Sequence, residues 1–187
     1  DYARENADWF LQSSDEKEKF GFALDVADLN GDGIGDVIAG APYGTNGSRE
    51  RAGRVYLLTG RRSFSSGTLQ WLMGSSLSGM TLYGINAGDQ FGISLAHGDI
   101  DGDRRPDVVV GSYLASNGSV KQAGSVSLFL GKYVAPYLAS SAFDPQRIPR
   151  VVIGGNQLFG WFGYSVAVGD LNGDGTWEDL GAASLSS

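Results

Sequence analysis

The sequence predicts an all-β fold assembled from repeated four-stranded antiparallel units. Three observations predict it: landmarks that recur at one fixed spacing along the 187-residue chain, apolar residues that alternate with period two after each landmark, and 29 glycines among short turn-bounded segments. That glycine content is about twice the usual share of about 7%. A recurring period is sought first because missing it mis-assigns the whole fold.

The landmarks keep one register. Phe20-Gly21 recurs as Phe91-Gly92 and Phe162-Gly163, Asp28 as Asp99 and Asp170, Gly40 as Gly111, Ala52-Gly53 as Ala123-Gly124, and Gly60 as Gly131. The first strand of each unit is read from the Phe. Phe20, Phe22, Leu24 and Val26 alternate with Gly21, Ala23, Asp25 and Ala27, and the second and third copies repeat a bulky face opposite a nearly bare one. Such alternation is the strand period, and a bare face lets a neighbouring sheet approach closely. The β-branched runs "DVIAGAPY" and "DVVVGSYL" supply second strands, and "GRVYLLTG" and "GSVSLFLG" supply third strands. Leu11, Leu82 and Ile153, each nine residues before a Phe, mark fourth strands. The connections between third and fourth strands, Ser/Gly-rich in the first copy and carrying three of the five prolines in the second, read as loops, with a short strand around Trp71 left open. Four antiparallel strands repeated in this way outline the blades of a β-propeller. The chain is therefore expected to be one partial propeller domain over residues 1–187, with repeats at about 9–79, 80–150 and 151–187, the last truncated.

Between first and second strands stands an acidic loop: "DLNGDGIGD" at 28–36, "DIDGDRRPD" at 99–107 and "DLNGDGTWE" at 170–178. Oxygen-bearing side chains at alternate positions of a tight loop suit Ca²⁺, a hard cation that takes six to eight oxygen ligands. The expected ligands in the first loop are Asp28, Asn30, Asp32 and Asp36, with the carbonyl of Ile34. In the second they are Asp99, Asp101, Asp103 and Asp107, with the carbonyl of Arg105. In the third they are Asp170, Asn172 and Asp174, the carbonyl of Thr176, and Glu178, which the repeat register favours over Asp179. Arg104 replaces the glycine of the sharpest turn, so the second loop is expected to hold a non-glycine residue in a strained conformation. Up to three structural Ca²⁺ ions are expected. The bland alternative is an acidic turn held by Asx-type hydrogen bonds without metal. An EF-hand fails because its twelfth position, a bidentate Glu, is here Ala39, Val110 or Gly181, and because the flanks have strand period.

Phe-Gly, then D-x-[DN]-x-D, then Gly40-Ala41-Pro42 resembles the FG-GAP repeats of integrin α-subunit propellers and of glycosylphosphatidylinositol-specific phospholipase D. The third element is complete only in the first copy, being "GSY" at 111–113 and "AAS" at 182–184; "KQAG" at 121–124 and "WFGYS" at 161–165 look more like the phospholipase. The resemblance implies a seven-bladed ring whose calcium loops are structural, in a secreted or cell-surface protein. Three units do not close a ring. Further blades, from the same precursor or a companion chain, are therefore expected as partners, with a protein ligand if the chain is integrin-like. Two sequons, at Asn46 and Asn117, fall one repeat apart and are glycosylation candidates.

Composition narrows the function classes. The net charge of −7, with eleven of 21 acids in the three loops when Asp179 is counted, argues against nucleic acid, which selects clustered Lys and Arg. The chain has no cysteine and no apolar run long enough to cross a bilayer as a helix, so neither a thiolate metal site nor a transmembrane helix is expected. General acid–base and metal-hydrolase chemistry usually recruits His, and His97 stands alone at the register of Val26 and Val168, where a partly buried, hydrogen-bonded role is expected. No catalytic residue is assigned. The reading is a non-catalytic, calcium-stabilised segment of a phospholipase D-like protein whose catalytic domain lies elsewhere; the alternative is the ligand-binding propeller of an adhesion protein.

Overall fold

A computed structural model describes residues 11–61, 67–68, 79–138, 148–171, 173 and 179–183. Leu11–Gln12 (β1) and Gly67–Thr68 (β5) form a small sheet of their own. The short β-branched runs form the expected larger sheets. Leu24–Ala27 (β2), Asp36–Ala41 (β3), Arg54–Leu58 (β4) and Gly79–Tyr83 (β6) make one four-stranded antiparallel blade. Leu95–Gly98 (β7), Asp107–Ser112 (β8), Ser125–Phe129 (β9) and Val151–Gly154 (β10) make the second. Ser165–Gly169 (β11) and Asp179–Ala183 (β12) form the first hairpin of a third. The first strands β2, β7 and β11 touch in succession, so the blades stack around one side of a propeller.

The register decides what each face meets. Asp25, Ala27, Ile38, Gly40, Val55, Leu57, Met80 and Leu82 share one face of the first blade. Against it pack Leu95, Val108, Val110 and Phe129 from the opposing face of the second blade, closing a core that also holds Phe91, Val134, Leu138 and Ile148. The Phe91 and Phe129 rings meet edge to face at 6.1 Å. Each such buried ring contributes about 1.5–3 kcal/mol. The next interface repeats the arrangement with Ala96, Val109 and Val126 against Val166, Val168 and Ala182.

The landmarks turn out to be the joints between blades. Phe91 donates its N–H to Ala52 O at 3.0 Å, and Phe162 donates to Ala123 O at 2.9 Å, so each Phe-Gly pairs with the Ala-Gly of the blade before it. A β-carbon on Gly53 would lie 2.0 Å from Phe91 O, and one on Gly124 2.0 Å from Phe162 O. No side chain fits there. Just upstream, Gln90 and Trp161 adopt φ of 56° and 52°, and Lys19 at the same register has 59° before a Phe-Gly that lacks this pairing among the described residues, so the conformation belongs to the turn itself.

Three expectations need correction. The regular first strand does not begin at Phe20 but at Leu24, because Gly21 takes φ +80° and the Phe-Gly segment is a turn, with Phe22 N donating to Lys19 O. Leu11 does not extend an antiparallel blade, since β1 pairs in parallel with β5. The second connection is not all loop, since Gly131–Leu138 forms a helix, α1, despite Pro136. Val134 and Leu138 share a helical face and are buried against the core, and that burial overrides the backbone hydrogen bond Pro136 cannot donate. Trp71 lies outside the described residues.

One network belongs to the first blade alone. Glu18, fully buried, accepts from Tyr56 OH at 2.9 Å and from Arg54 Nη1 at 3.1 Å. Burial pushes the Tyr56 phenol up to about 12, with the Glu18 charge acting in the same direction against the pull of Arg54.

Candidate metal centre

Each acidic loop joins the inner two strands of a blade, so the hairpin register sets where its carboxylates fall. Asp36 begins β3 opposite Ala27, and Asp107 begins β8 opposite Gly98, both fully buried. Their oxygens are used alike. Asp36 accepts from Leu29 N at 2.8 Å and Gly60 N at 2.7 Å; Asp107 accepts from Ile100 N at 2.8 Å and Gly131 N at 2.7 Å. Burial raises the pKa of both carboxyls, and these N–H groups oppose the rise; neighbouring Asp32 and Asp101 add to it. Charge is thus concentrated where water is excluded.

The first positions act as turn organisers. Asp28 Oδ1 accepts from Gly31 N and Asp32 N, and Oδ2 from Gly33 N, at 2.8–3.0 Å. Asp99 Oδ2 accepts from Arg104 N at 2.6 Å, and Asp170 Oδ1 from Gly173 N at 2.6 Å. At the fifth positions Asp32 accepts from Ile34 N at 2.8 Å and Asp103 from Arg105 N at 2.9 Å. Asn30 donates its amide to Asp32 Oδ2 and accepts from Asp32 N. The expected strain is present: Arg104 adopts φ 66°, where its counterpart Gly33 has 82°.

The loops differ in how far their acids converge. Among the described residues, Asp99, Asp101 and Asp107 each bring a carboxylate oxygen within 4.8 Å of the other two, a group that could hold a metal ion. Asp99 Oδ1 is buried and has no hydrogen-bond partner. A buried, unpaired carboxylate oxygen beside two others is costly unless a cation satisfies it, so this donor set fits a hard divalent ion. Asp103 is not in the group. Of the third loop, Asn172, Asp174, Thr176 and Glu178 lie outside the described residues.

Sequence reasoning marked Gly60 and Gly131 as landmarks without giving them a task. Their N–H groups anchor the buried carboxylates, and a β-carbon would meet Gly35 O at 2.1 Å or Pro106 O at 2.5 Å. Their recurrence was the available signal. His97 has the expected environment: Nδ1 lies 2.8 Å from Asp25 Oδ2 of the preceding blade. The sequon side chains are also engaged, Asn46 Nδ2 donating to Gly84 O at 3.1 Å and Asn117 Nδ2 to Gly155 O at 2.9 Å. Their shared register therefore has a structural cause of its own.

Residues 20–58 and 91–129 match the family model described as the FG-GAP repeat. These two segments are FG-GAP repeats. Each FG-GAP repeat runs from its Phe-Gly to the end of the third strand and includes one acidic loop. The chain is similar to phosphatidylinositol-glycan-specific phospholipase D of Dictyostelium discoideum, 30% identical over 159 residues, and to that of Homo sapiens, 32% identical over 148 residues. It is also similar to integrin alpha-7 of Homo sapiens, 34% identical over 169 residues. These alignments cover 80%, 79% and 89% of the chain but 15%, 16% and 12% of the respective relatives. The chain thus spans a small part of the length of the relatives it matches. Among the described residues no helix is long and apolar enough to cross a membrane.

Proposed function

We propose that this chain is a non-catalytic, calcium-stabilised FG-GAP propeller segment of a secreted protein resembling the glycosylphosphatidylinositol-specific phospholipase D. The observation that carries the calcium reading is the unpaired, buried Asp99 Oδ1 within the Asp99, Asp101 and Asp107 group. Asp103 and the Arg105 carbonyl would complete the second set. By repeat register Asp28, Asn30, Asp32, Ile34 and Asp36 would hold one ion, and Asp170, Asn172, Asp174, Thr176 and Glu178 another. When bound, the ion supplies charge neutralisation. The chain's own residues orient the carboxylates: Gly60 and Gly131 hold the ninth position, and the backbone of each turn holds the first.

Catalysis in the parent would then lie outside these residues. Further blades are the partners this reading requires, and the uncovered face of the first blade supports them: Phe22, Leu24 and Val26 are 57%, 65% and 57% exposed, whereas Ile93, Leu95 and His97 at the same register are half-buried against a neighbour. An adhesion-type propeller is the second reading, favoured by the 34% identity to integrin alpha-7. The domain composition of the parent protein separates the two: a His/Asp-rich zinc-hydrolase domain belongs to the first, and FG-GAP repeats directly after a signal peptide belong to the second.

Equilibrium dialysis with radioactive calcium, paired with thermal melts, tests the metal reading. For sites with Kd near 0.1 mM, about 1 mM calcium stabilises the fold by roughly 1.4 kcal/mol per independent site. Chelation is expected to lower the melting temperature, and Asp32→Ala to remove one bound ion. No calcium uptake and an unchanged melt in excess chelator overturn the reading.

A further inference from the structure

The second loop carries a feature the first lacks. Lys132, in the first turn of α1, places its ammonium on Asp101 Oδ2, an oxygen of one of the three converging carboxylates. The helix is pinned at that spot, because Gly131 N donates to Asp107 Oδ1 at 2.7 Å and Val134 and Leu138 are locked in the core. The lysine backbone therefore cannot drift from the loop. Its side chain is free to do so, being 43% exposed on a flexible four-carbon stem. At the equivalent places the first blade has Arg61 and Asn30, so an ammonium facing a carboxylate at this register belongs to the second loop.

We propose that Lys132 is a tethered counter-ion of the second loop, which competes with a divalent cation for Asp101 and so raises the calcium concentration at which this loop loads. The inference rests on the calcium reading above. An ammonium and a divalent ion both draw on one carboxylate, and each lowers its attraction for the other. Because an exposed ion pair is weak, the lysine yields its place rather than blocking it. Its effect is a graded weakening, sensitive to salt, confined to one site.

Calcium titration calorimetry on the full chain, at low and at physiological salt, tests it with three variants. Lys132→Met keeps the length of the side chain and removes its charge; it is expected to tighten one class of sites about five- to ten-fold at low salt, less at high salt. Asp99→Asn is expected to abolish that same class, which assigns it to the second loop. Lys132→Arg keeps the charge and is expected to leave it within about two-fold of the parent protein. Weaker or unchanged binding in Lys132→Met overturns the proposal, the former by making Lys132 a residue that positions Asp101 for the ion. Equal tightening in Lys132→Arg and Lys132→Met overturns it too. A parent protein that takes up no calcium overturns the calcium reading itself, and this inference with it.

Discussion

Adding one methyl group at Gly40 is expected to force two blades apart. Its β-carbon would lie 2.1 Å from the carbonyl oxygen of Gly92 in the next blade, and ordinary contact begins near 3.4 Å. The backbone must retreat by more than about 1 Å, since a carbonyl within a paired turn has no rotamer to escape into. Overpacking of this kind costs about 1–3 kcal/mol. Gly53→Ala combines a 2.0 Å approach to Phe91 O with φ +91°, which adds about 1–2 kcal/mol of left-handed strain. Two controls separate the causes. Gly88→Ala has φ +83° but open space, and the third copy carries Phe159 there at φ 54°, so only about 1 kcal/mol of strain is expected. Gly169→Ala meets nothing within 4 Å at an ordinary φ and is expected to stay within about 0.5 kcal/mol of the parent. Urea unfolding at saturating calcium ranks the four, with Gly53→Ala costliest, then Gly40→Ala, Gly88→Ala and Gly169→Ala. If Gly40→Ala behaves like Gly169→Ala, the landmarks do not mark close joints between blades and the argument from spacing fails.

Two other perturbations address the blade interfaces. The Asp25 and His97 pair should couple two blades in a pH-dependent way. The Asp25 hydrogen bond raises the His97 pKa despite burial; on Asp25, burial pushes upward but the His97 hydrogen bond and the Val26 N–H prevail and lower it. The His97 contribution is complete below its unfolded value of about 6.5 and fades as pH rises through its folded pKa; the Asp25 contribution is complete above about 3.9 and fades as pH falls through its folded pKa. A double-mutant cycle with Asp25→Asn and His97→Gln at saturating calcium should show coupling between those limits, under about 1 kcal/mol because both groups are partly exposed, and less at pH 8.5. Equal or larger coupling at pH 8.5 refutes the ion pair as its source. On the uncovered face, Leu24→Lys with Val26→Lys should reduce self-association of the isolated chain in light scattering while leaving the melt nearly unchanged; undiminished scattering shows that this face does not drive it.

How much could be read in advance depended on whether a residue's reason was local. The acidic loops were legible because their oxygen-bearing residues recur position by position between two strands, and Arg104 was legible as a strained turn because it stands where the other copies have glycine. The joints were not, although every landmark was visible: Gly53 and Phe91 explain each other only once the chain between them has folded back to pair them. The first strands were read too long because Phe20 continues the alternation that Gly21 ends, and period alone does not register a positive φ. Helix α1 was hidden by Pro136. Its face of Val134 and Leu138 acquires meaning only from the core of Phe129 and Ile148 that it completes. Lys132 carried no signal, since a lone lysine after a glycine is ordinary until the fold sets it beside Asp101.

The two fastenings sit at opposite ends of the same short strand. In β2 and β7 the Phe-Gly turn precedes the first residue and the acidic loop follows the last, so four residues, about 13 Å of extended chain, separate joint from loop. At one end backbone pairing and bare glycines hold blade to blade. At the other, carboxylates and backbone N–H groups close each hairpin on itself. The Asp25 and His97 contact lies between, bridging blades midway along the strand. A cation bound in a loop would therefore act first on the inner hairpin of one blade, and through Leu29 or Ile100, loop residues packed in the cores between blades, it would also steady the contact to a neighbour. Calcium bound in this arrangement would stabilise a blade and its nearest interface together.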